Sequence, residues 1–219
     1  WFAKHPQDRR KTHFIAETDD GIWLSPEVAR EIINNCIYGV DIDAEAVEVA
    51  RMSLSLRYLE RTVALSGEPH LLLKGIGLNI RHGNSLVGPD IIGLGIETDD
   101  IISEVMPFDW RNKKKGFYDV MEAGGFDAVV GNPPYIEVKR YKEWMPSQYK
   151  YLKESGVYET TAQGKTDVSV PFMEQGLKLL NENGRLGFII QNRFFKTDYG
   201  DVVRSWLIRN KALAEVEDF

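Results

Sequence analysis

The sequence predicts an α/β protein built on a doubly wound parallel sheet. Short apolar segments alternate with segments of helical periodicity, which is typical of consecutive βαβ units. The chain has 219 residues, of which 43% are hydrophobic and 27% are charged, and this composition fits one soluble domain with a sizeable core. Polar residues follow two of the apolar segments directly, at the strand ends where open α/β sheets bind ligands.

The first helix is predicted from its start signals. Residues 1–24 are charged and without a clear period, and they are predicted to be a linker or a surface insertion. Ser25 is then a suitable N-cap and Pro26 a suitable first helical residue, so a helix is expected from there to about residue 35. We assign residues 25–219 to the main domain.

A strand and a second helix complete the first βα unit. The strand is predicted over residues 36–41, with Cys36 as a buried structural thiol. Asp43 is expected to cap a helix that ends near residue 67. Its predicted buried face carries apolar residues three and four positions apart, namely Val47, Ala50, Leu54 and Tyr58.

A second strand is predicted over residues 77–82, with Leu78 and Ile80 on one face and a break at residues 83–86. Residues 88–124 mix glycines, prolines and charges, so an irregular loop with one short helix is expected. Its basic triplet at residues 113–115 is predicted to be a solvated face, with a phosphate contact as the alternative.

The segment Gly125–Gly131 is predicted to be a buried strand on which Phe126, Ala128 and Val130 alternate with Asp127 and Val129. Two prolines end it, because proline cannot donate to a sheet ladder. The following Asn-Pro-Pro-Tyr, residues 132–135, is therefore a stiff loop with outward carbonyls, an amide and a phenol. Such a loop suits a flat substrate that bears an NH₂ group; a turn with a packed tyrosine is the alternative.

Residues 136–166 are rich in Lys, Tyr and Trp and poor in aliphatic residues. We predict a mobile lid or insertion whose aromatic and basic side chains meet nucleic acid. A packed or disordered lid without that role is the alternative. The aromatic residues are Tyr141, Trp144, Tyr149, Tyr151 and Tyr158.

The remaining elements continue the alternation. A helix is predicted from Asp167 to about Leu180, a buried strand over residues 185–190, a helix from near Asp198 through Trp206, and the start of a strand over residues 212–219.

Several classes of function are disfavoured. The four histidines are scattered and make no metal-ligand spacing, and no nucleophile elbow or Walker loop occurs. A net charge of −6 argues against this chain alone clamping a nucleic-acid backbone. No apolar run approaches the roughly 20 residues that span a bilayer. A single cysteine and the lack of a signal peptide favour a cytoplasmic protein, and the absence of an initiator methionine suggests a piece of a longer one.

Four motifs in register resemble the adenine-specific, amino-directed DNA methyltransferases that use S-adenosylmethionine. They are Tyr-Gly-Val-Asp-Ile-Asp at 38–43, Gly-Asn-Ser-Leu at 83–86, Gly-Asn-Pro-Pro-Tyr at 131–135 and Gly-Arg-Leu-Gly-Phe-Ile at 184–189. The resemblance covers residues 25–219 and is greatest to bacterial fused restriction–modification enzymes and related phage-defence methyltransferases. It implies a Rossmann-like fold, double-stranded DNA as the partner and S-adenosylmethionine as the cofactor.

The resemblance also implies roles for individual residues. Asp41, which already stands where a carboxylate conventionally binds ribose hydroxyls, would hold the cofactor ribose, and Ile42 would pack on its adenine. Asn84 would contact the adenine edge, with Ser85 and Leu86 completing that motif. Asn132 and the carbonyl of Pro133 would accept both hydrogens of the target amine, and Tyr135, after Pro134, would stack on the flipped base.

The family's first strand and glycine-rich cofactor loop have no counterpart here, so the isolated chain is expected to be a truncated, inactive part of an enzyme. The target-recognition domain is also absent, and most DNA contacts are expected from it. Two alternatives stay open: a protein glutamine methyltransferase, whose side-chain amide also presents NH₂, and a non-catalytic binding or folding module. The sequence leaves the oligomeric state open.

Overall fold

A computed structural model of the chain describes residues 14–18, 21–24, 26–66, 75–95, 99–136, 138–162, 167–192 and 200–217. These residues form mixed α/β structure with small two-stranded sheets, two of them parallel. The chain divides into two compact units, residues 1–83 and 84–219. No helix of the described ranges is long and apolar enough to cross a membrane.

The first described elements of this unit are two paired strands, so the prediction of irregular structure before residue 25 is wrong for these strands. Strands β1 and β2 pair antiparallel, and the later strands β3 and β4 pair parallel. In chain order the elements are β1 (Phe14–Thr18), β2 (Gly21–Leu24), α1 (Pro26–Cys36), β3 (Gly39–Asp41), α2 (Ala44–Ser66) and β4 (Ile80–His82).

Both predicted helices of this unit are confirmed. Asp43 caps α2, because its Oδ1 accepts from the backbone N–H of Glu45 at 2.8 Å. Val47 and Tyr58 are buried on the predicted face, with Ala50 and Leu54 half-buried between them.

The strands of the first unit are shorter than predicted. Cys36 ends α1 and is exposed, so its prediction as a buried strand thiol is wrong. A turn over residues 75–79 delays β4 to Ile80, which is buried, whereas Leu78 lies in the turn and is exposed. The two residues therefore do not share a buried face.

The second unit is mostly helical around one parallel strand pair. Residues 88–124 were predicted to hold one short helix, and their described parts, 88–95 and 99–124, contain a 3₁₀ helix and two α-helices. In chain order the elements are the 3₁₀ helix (Pro89–Leu94), α3 (Asp99–Val105), α4 (Tyr118–Glu122), β5 (Phe126–Gly131), α5 (Val138–Trp144), α6 (Pro146–Glu154), α7 (Glu159–Ala162), α8 (Ser169–Lys178), β6 (Leu180–Phe188) and α9 (Gly200–Arg209).

Strand β5 is confirmed, but it is not buried as predicted, because none of its six residues is fully buried. Helix α8 lies so close to the sheet that a Cβ on Gly176 would meet Leu186 at 2.7 Å and Val129 at 3.6 Å. The face that carries Val129 is therefore the covered one. Val130 points to the opposite face and is 82% exposed.

The end of the chain differs from the predictions in two places. Helix α8 ends before Leu180, where β6 begins, so the strand starts earlier than predicted. Residues 212–217 are irregular rather than a strand. The predicted cap at Asp198 lies outside the described residues, although the helix itself is present as α9.

Candidate active site

The Asn-Pro-Pro-Tyr loop leaves the sheet at the carboxyl end of β5, as predicted. The backbone N–H of Ile189 donates to Gly131 O at 3.1 Å, which fixes the loop's first peptide to the end of β6. Pro133 is buried, whereas Asn132 and Pro134 are exposed. The loop therefore has a packed base and a polar, accessible rim.

The Tyr135 hydroxyl bridges the loop and the end of β6. It lies 2.8 Å from Asn132 Oδ1 and 3.1 Å from the carbonyl oxygen of Ile189, and it can donate its proton to either. A bond to Oδ1 fixes which end of the Asn132 amide faces the ring, because the oxygen accepts and the nitrogen cannot. The ring itself is 45% exposed.

The hydrogen bond from Tyr135 to Asn132 can be tested with the variant Tyr135→Phe in the full-length protein that contains this chain. For the methyl transfer that the sequence leads us to expect, loss of one exposed hydrogen bond, worth about 1 kcal/mol, should lower kcat/KM about fivefold, since the Asn132 amide loses its orienting donor. Cofactor affinity should stay unchanged. Steady-state kinetics measures the effect, and unaltered kinetics would show that the ring alone matters.

Beside Tyr135 lies an open cavity of about 650 Å³. Arg140 and Trp144 line it from α5, four residues apart and so on one face of that helix. The Trp144 side chain is 62% exposed. The remaining lining residues are Ile136, Asp167, Gln191 and Asn192.

Among the residues that line the cavity, Tyr135 was predicted from the sequence to stack on the target base. Trp144 and Arg140 were predicted only as members of an aromatic and basic segment. Asp167, Gln191 and Asn192 were not predicted as site residues. Asp167 was treated only as the start of a helix, and its Oδ1 indeed accepts from Ser169 N at 2.9 Å. The other two follow β6 closely, and that position at a strand's carboxyl end was the available signal.

Segment 136–166 is helical and packed where it is described. Tyr141, Tyr151 and Tyr158 are buried in the core of the second unit, so their rings are not accessible to stack on bases. Trp144 is the aromatic residue of the segment that is largely exposed. The mobility of the segment stays a prediction.

In the first unit, Asp41 is the last residue of β3 and Ile42 follows it directly. Asp41 Oδ1 accepts from Asp43 N at 2.8 Å, and Gly83 N donates to Asp41 O at 2.8 Å. Hydrogen bonds therefore hold both the side chain and the backbone carbonyl of Asp41. The Asp41 carboxylate is exposed. His82 Nε2 donates to the Ile42 carbonyl at 2.9 Å, and the Ile42 side chain stays 40% exposed.

In the second unit, Asn84, Ser85 and Leu86 form a tight turn. Asn84 is only 5% exposed; its Oδ1 accepts from Leu86 N at 3.0 Å. Its Nδ2 is buried without a hydrogen-bond partner among the described residues. Trp110 Nε1 donates to Ser85 O at 3.3 Å, and the Leu86 side chain is buried in the core.

The described residues contain no cluster of three or more His, Cys, Asp or Glu side chains that could hold a metal ion. The polar groups of the candidate residues are instead amides, carbonyls, the Tyr135 hydroxyl, the Arg140 guanidinium and the carboxylates of Asp41 and Asp167. Such groups bind organic ligands by hydrogen bonds.

Comparison with known proteins identifies the family. The pattern of the Eco57I restriction-modification methylases matches residues 35–219. The chain belongs to this family. It is 34% identical over 197 residues to the type II restriction enzyme and methyltransferase RM.Eco57I of Escherichia coli, and 28% identical over 186 residues to the type II methyltransferase M.BstVI of Geobacillus stearothermophilus.

A third relative is named as adenine-specific. The chain is 28% identical over 180 residues to the adenine-specific methyltransferase PglX of Streptomyces coelicolor. These matches cover 90%, 85% and 75% of this chain, but only 18%, 26% and 14% of the respective relatives. The chain thus corresponds to a limited part of each relative.

Proposed function

We propose that this chain is part of an enzyme that transfers a methyl group from S-adenosylmethionine to the exocyclic amine of a flipped adenine in double-stranded DNA. The observation that carries the proposal is the exposed Asn132 amide at the carboxyl end of β5, beside a cavity bordered by Tyr135 and Trp144. The family membership and the names of the relatives support the same reaction.

The chemistry requires two acceptors at the amine. An adenine amine is a poor nucleophile because its lone pair is delocalised into the ring. Asn132 Oδ1 and the carbonyl of Pro133 would hold its two N–H groups, which favours a pyramidal nitrogen and directs the lone pair away from the loop. Those bonds strengthen as positive charge develops on the nitrogen, so they stabilise the transition state more than the ground state.

The cofactor, when bound, supplies an electrophilic sulfonium methyl group. We propose that Asp41 and Ile42 contact the cofactor, and that Asn84, Ser85 and Leu86 do so as well. The buried Asn84 Nδ2, which has no partner among the described residues, fits a ligand with an acceptor nitrogen such as adenine. Leu86 would act through its backbone turn, because its side chain is in the core. The doubly wound Rossmann-like sheet stays a prediction, since the described residues of each unit form one parallel strand pair.

Arg140 and Trp144 offer a second contact to DNA. Trp144→Ala in the full-length protein should weaken DNA binding about tenfold, because stacking of a base on an aromatic ring contributes about 1–3 kcal/mol. Cofactor affinity should not change. Fluorescence anisotropy with a labelled duplex measures the affinity, and Trp144→Phe should largely restore it.

The charge at Arg140 is tested by salt dependence. Arg140→Gln should reduce the slope of log affinity against log salt concentration by about 1, as expected for one lost phosphate contact. Lys114→Gln is the matched control, because Lys114 lies in the basic triplet predicted to be solvated and is exposed. Equal slopes for the two variants would remove Arg140 from the DNA interface.

The reaction itself is tested with tritium-labelled S-adenosylmethionine and the full-length protein. Label should enter the N6 position of adenine in duplex DNA and not a glutamine-containing peptide. Label in the peptide alone would favour the protein glutamine methyltransferase alternative. Incorporation into neither substrate, with cofactor binding absent, would favour a non-catalytic module.

A further inference from the structure

Two tyrosine side chains of segment 136–166 are hydrogen-bonded to the turn that begins at Asn84. We define the cofactor turn as residues 84–90, which runs from Asn84 into the 3₁₀ helix. Tyr158 donates its hydroxyl proton to Leu86 O at 2.6 Å. Tyr151 donates to Asp90 Oδ1 at 2.8 Å and accepts from Gly88 N at 3.2 Å.

The cofactor turn and these hydroxyls are far apart in the sequence. The bond from Tyr158 to Leu86 spans 72 residues, and the bond from Tyr151 to Asp90 spans 61. Another contact of the segment lies just beyond the turn, where Lys150 Nζ donates to Leu94 O at 2.8 Å. Helix α6 and the residues that follow it as far as Tyr158 thus form a brace along one side of the cofactor turn.

Both tyrosines remain donors over the whole physiological range. Their side chains are buried, and burial raises the pKa of the Tyr151 and Tyr158 hydroxyls above the ordinary value. Nearby acidic groups raise these pKa values further, because a negative charge opposes formation of phenolate. A protonated phenol in a buried position forms a stronger hydrogen bond than one in water.

Leu86 transmits the restraint to Asn84. Its carbonyl accepts from Tyr158, and its N–H donates to Asn84 Oδ1 at 3.0 Å. With Oδ1 committed inside the turn, Nδ2 is the end of the amide left for a ligand, and it has no partner among the described residues. The position of Leu86 therefore determines both which end of the Asn84 amide is offered and where it points.

We propose that Tyr158 and Tyr151 are positioning residues for cofactor binding, which hold the cofactor turn so that Asn84 Nδ2 donates to an acceptor nitrogen of the cofactor's adenine. The inference rests on the proposed function. It assigns to this part of segment 136–166 a role as a fixed support of the cofactor side of the site. A bound ligand then meets an Asn84 donor that is already oriented.

The test compares three single-atom deletions in the full-length protein: Tyr158→Phe, Tyr151→Phe and the control Tyr141→Phe. Tyr141 is also buried, but its hydroxyl donates to Gln148 Oε1 at 2.5 Å and does not contact the cofactor turn. Isothermal calorimetry measures the Kd for S-adenosylmethionine. Tyr158→Phe should raise it five- to tenfold and Tyr151→Phe two- to fivefold, whereas Tyr141→Phe should leave it unchanged.

Two further measurements separate positioning from general loss of stability. The melting temperatures of the three variants should fall by similar amounts, and DNA affinity should stay the same in all of them. Hydrogen exchange at the amides of Leu86 and Gly88 should accelerate in Tyr158→Phe and Tyr151→Phe, but not in Tyr141→Phe. If one of the two test variants fails to fold, the other decides.

The outcomes distinguish a failure of the positioning role of the tyrosines from a failure of the proposed function. Normal cofactor binding by the unsubstituted protein, with equal Kd values in all three variants, would overturn the inference and leave the proposed function intact. Absence of binding by the unsubstituted protein would overturn both. A rise in Kd for the two test variants alone would support the inference.

Discussion

Replacing Asn132 by alanine in the full-length protein should lower kcat for DNA methylation about a thousandfold while cofactor affinity stays nearly intact. Loss of one preorganised group at a site of developing charge typically costs 10²–10³ in rate. Here the same change also removes one of the two acceptors of the Tyr135 hydroxyl, which lies 2.8 Å from Asn132 Oδ1. The amine would then keep one acceptor, the Pro133 carbonyl.

Single-turnover transfer of labelled methyl groups measures this loss without interference from product release. Calorimetry with S-adenosylmethionine measures whether the variant keeps its affinity for the cofactor. Asn183→Ala is a suitable control, because Asn183 is an exposed asparagine on β6 outside the proposed site. Near-normal turnover in Asn132→Ala would contradict the role assigned to the loop.

The parts of the fold that sequence reasoning predicted well are determined by local signals. Asp43 at a cap position and apolar residues at helical spacing are sufficient to define α2, because both features act within a few residues of the chain. The same holds for β5, whose end is imposed by two prolines. The loop at residues 132–135 could be located for that reason before any tertiary contact was known.

The parts that were missed depend on tertiary contacts. Alternation along β5 could not tell which face α8 covers, so the sequence did not show that Val129 lies on the covered face and that Val130 is exposed. The tyrosines at 151 and 158 look like a surface aromatic cluster in the sequence. Their actual role follows from bonds to residues more than 60 positions away.

The sequence also did not predict that α8 carries a buried carboxylate. Glu174 is 0% exposed. Its Oε1 accepts from Glu159 N at 3.0 Å and Lys178 Nζ at 2.7 Å, and its Oε2 accepts from Thr160 N at 3.0 Å and Thr160 Oγ1 at 2.7 Å. Both oxygens are thus fully used, and the carboxylate joins α8 to the start of α7.

Replacement of Glu174 should have the largest effect on stability of any change considered in this chain. Glu174→Ala should lower the free energy of unfolding by about 3–5 kcal/mol, since it leaves buried N–H donors at α7 without partners. Glu174→Gln should lower it by about 2–3 kcal/mol, because one carboxylate oxygen becomes an NH₂ group that faces donors. Urea denaturation followed by circular dichroism measures both changes.

The matched control is Glu122→Gln. Glu122 pairs with Arg111 at 3.0 Å, but both side chains are more than half exposed, so the loss should stay below about 1 kcal/mol. A similar effect of the glutamine substitution at positions 122 and 174 would contradict the buried network. The comparison keeps the chemical change constant and varies only the environment.

The pH dependence gives an independent test of the same network. Burial alone would raise the pKa of Glu174, but hydrogen bonds from Lys178, Thr160 and Glu159 outweigh it and hold the pKa below its ordinary value. The stabilisation is therefore fully present above the unfolded-state pKa of about 4.3, and it is lost as the pH falls through the lower folded-state pKa. The difference in unfolding free energy between the unsubstituted protein and Glu174→Gln should accordingly be constant from pH 6 to pH 8 and shrink below about pH 4. A difference that grew on acidification would mean that burial dominates and that the carboxyl group is protonated in the folded protein.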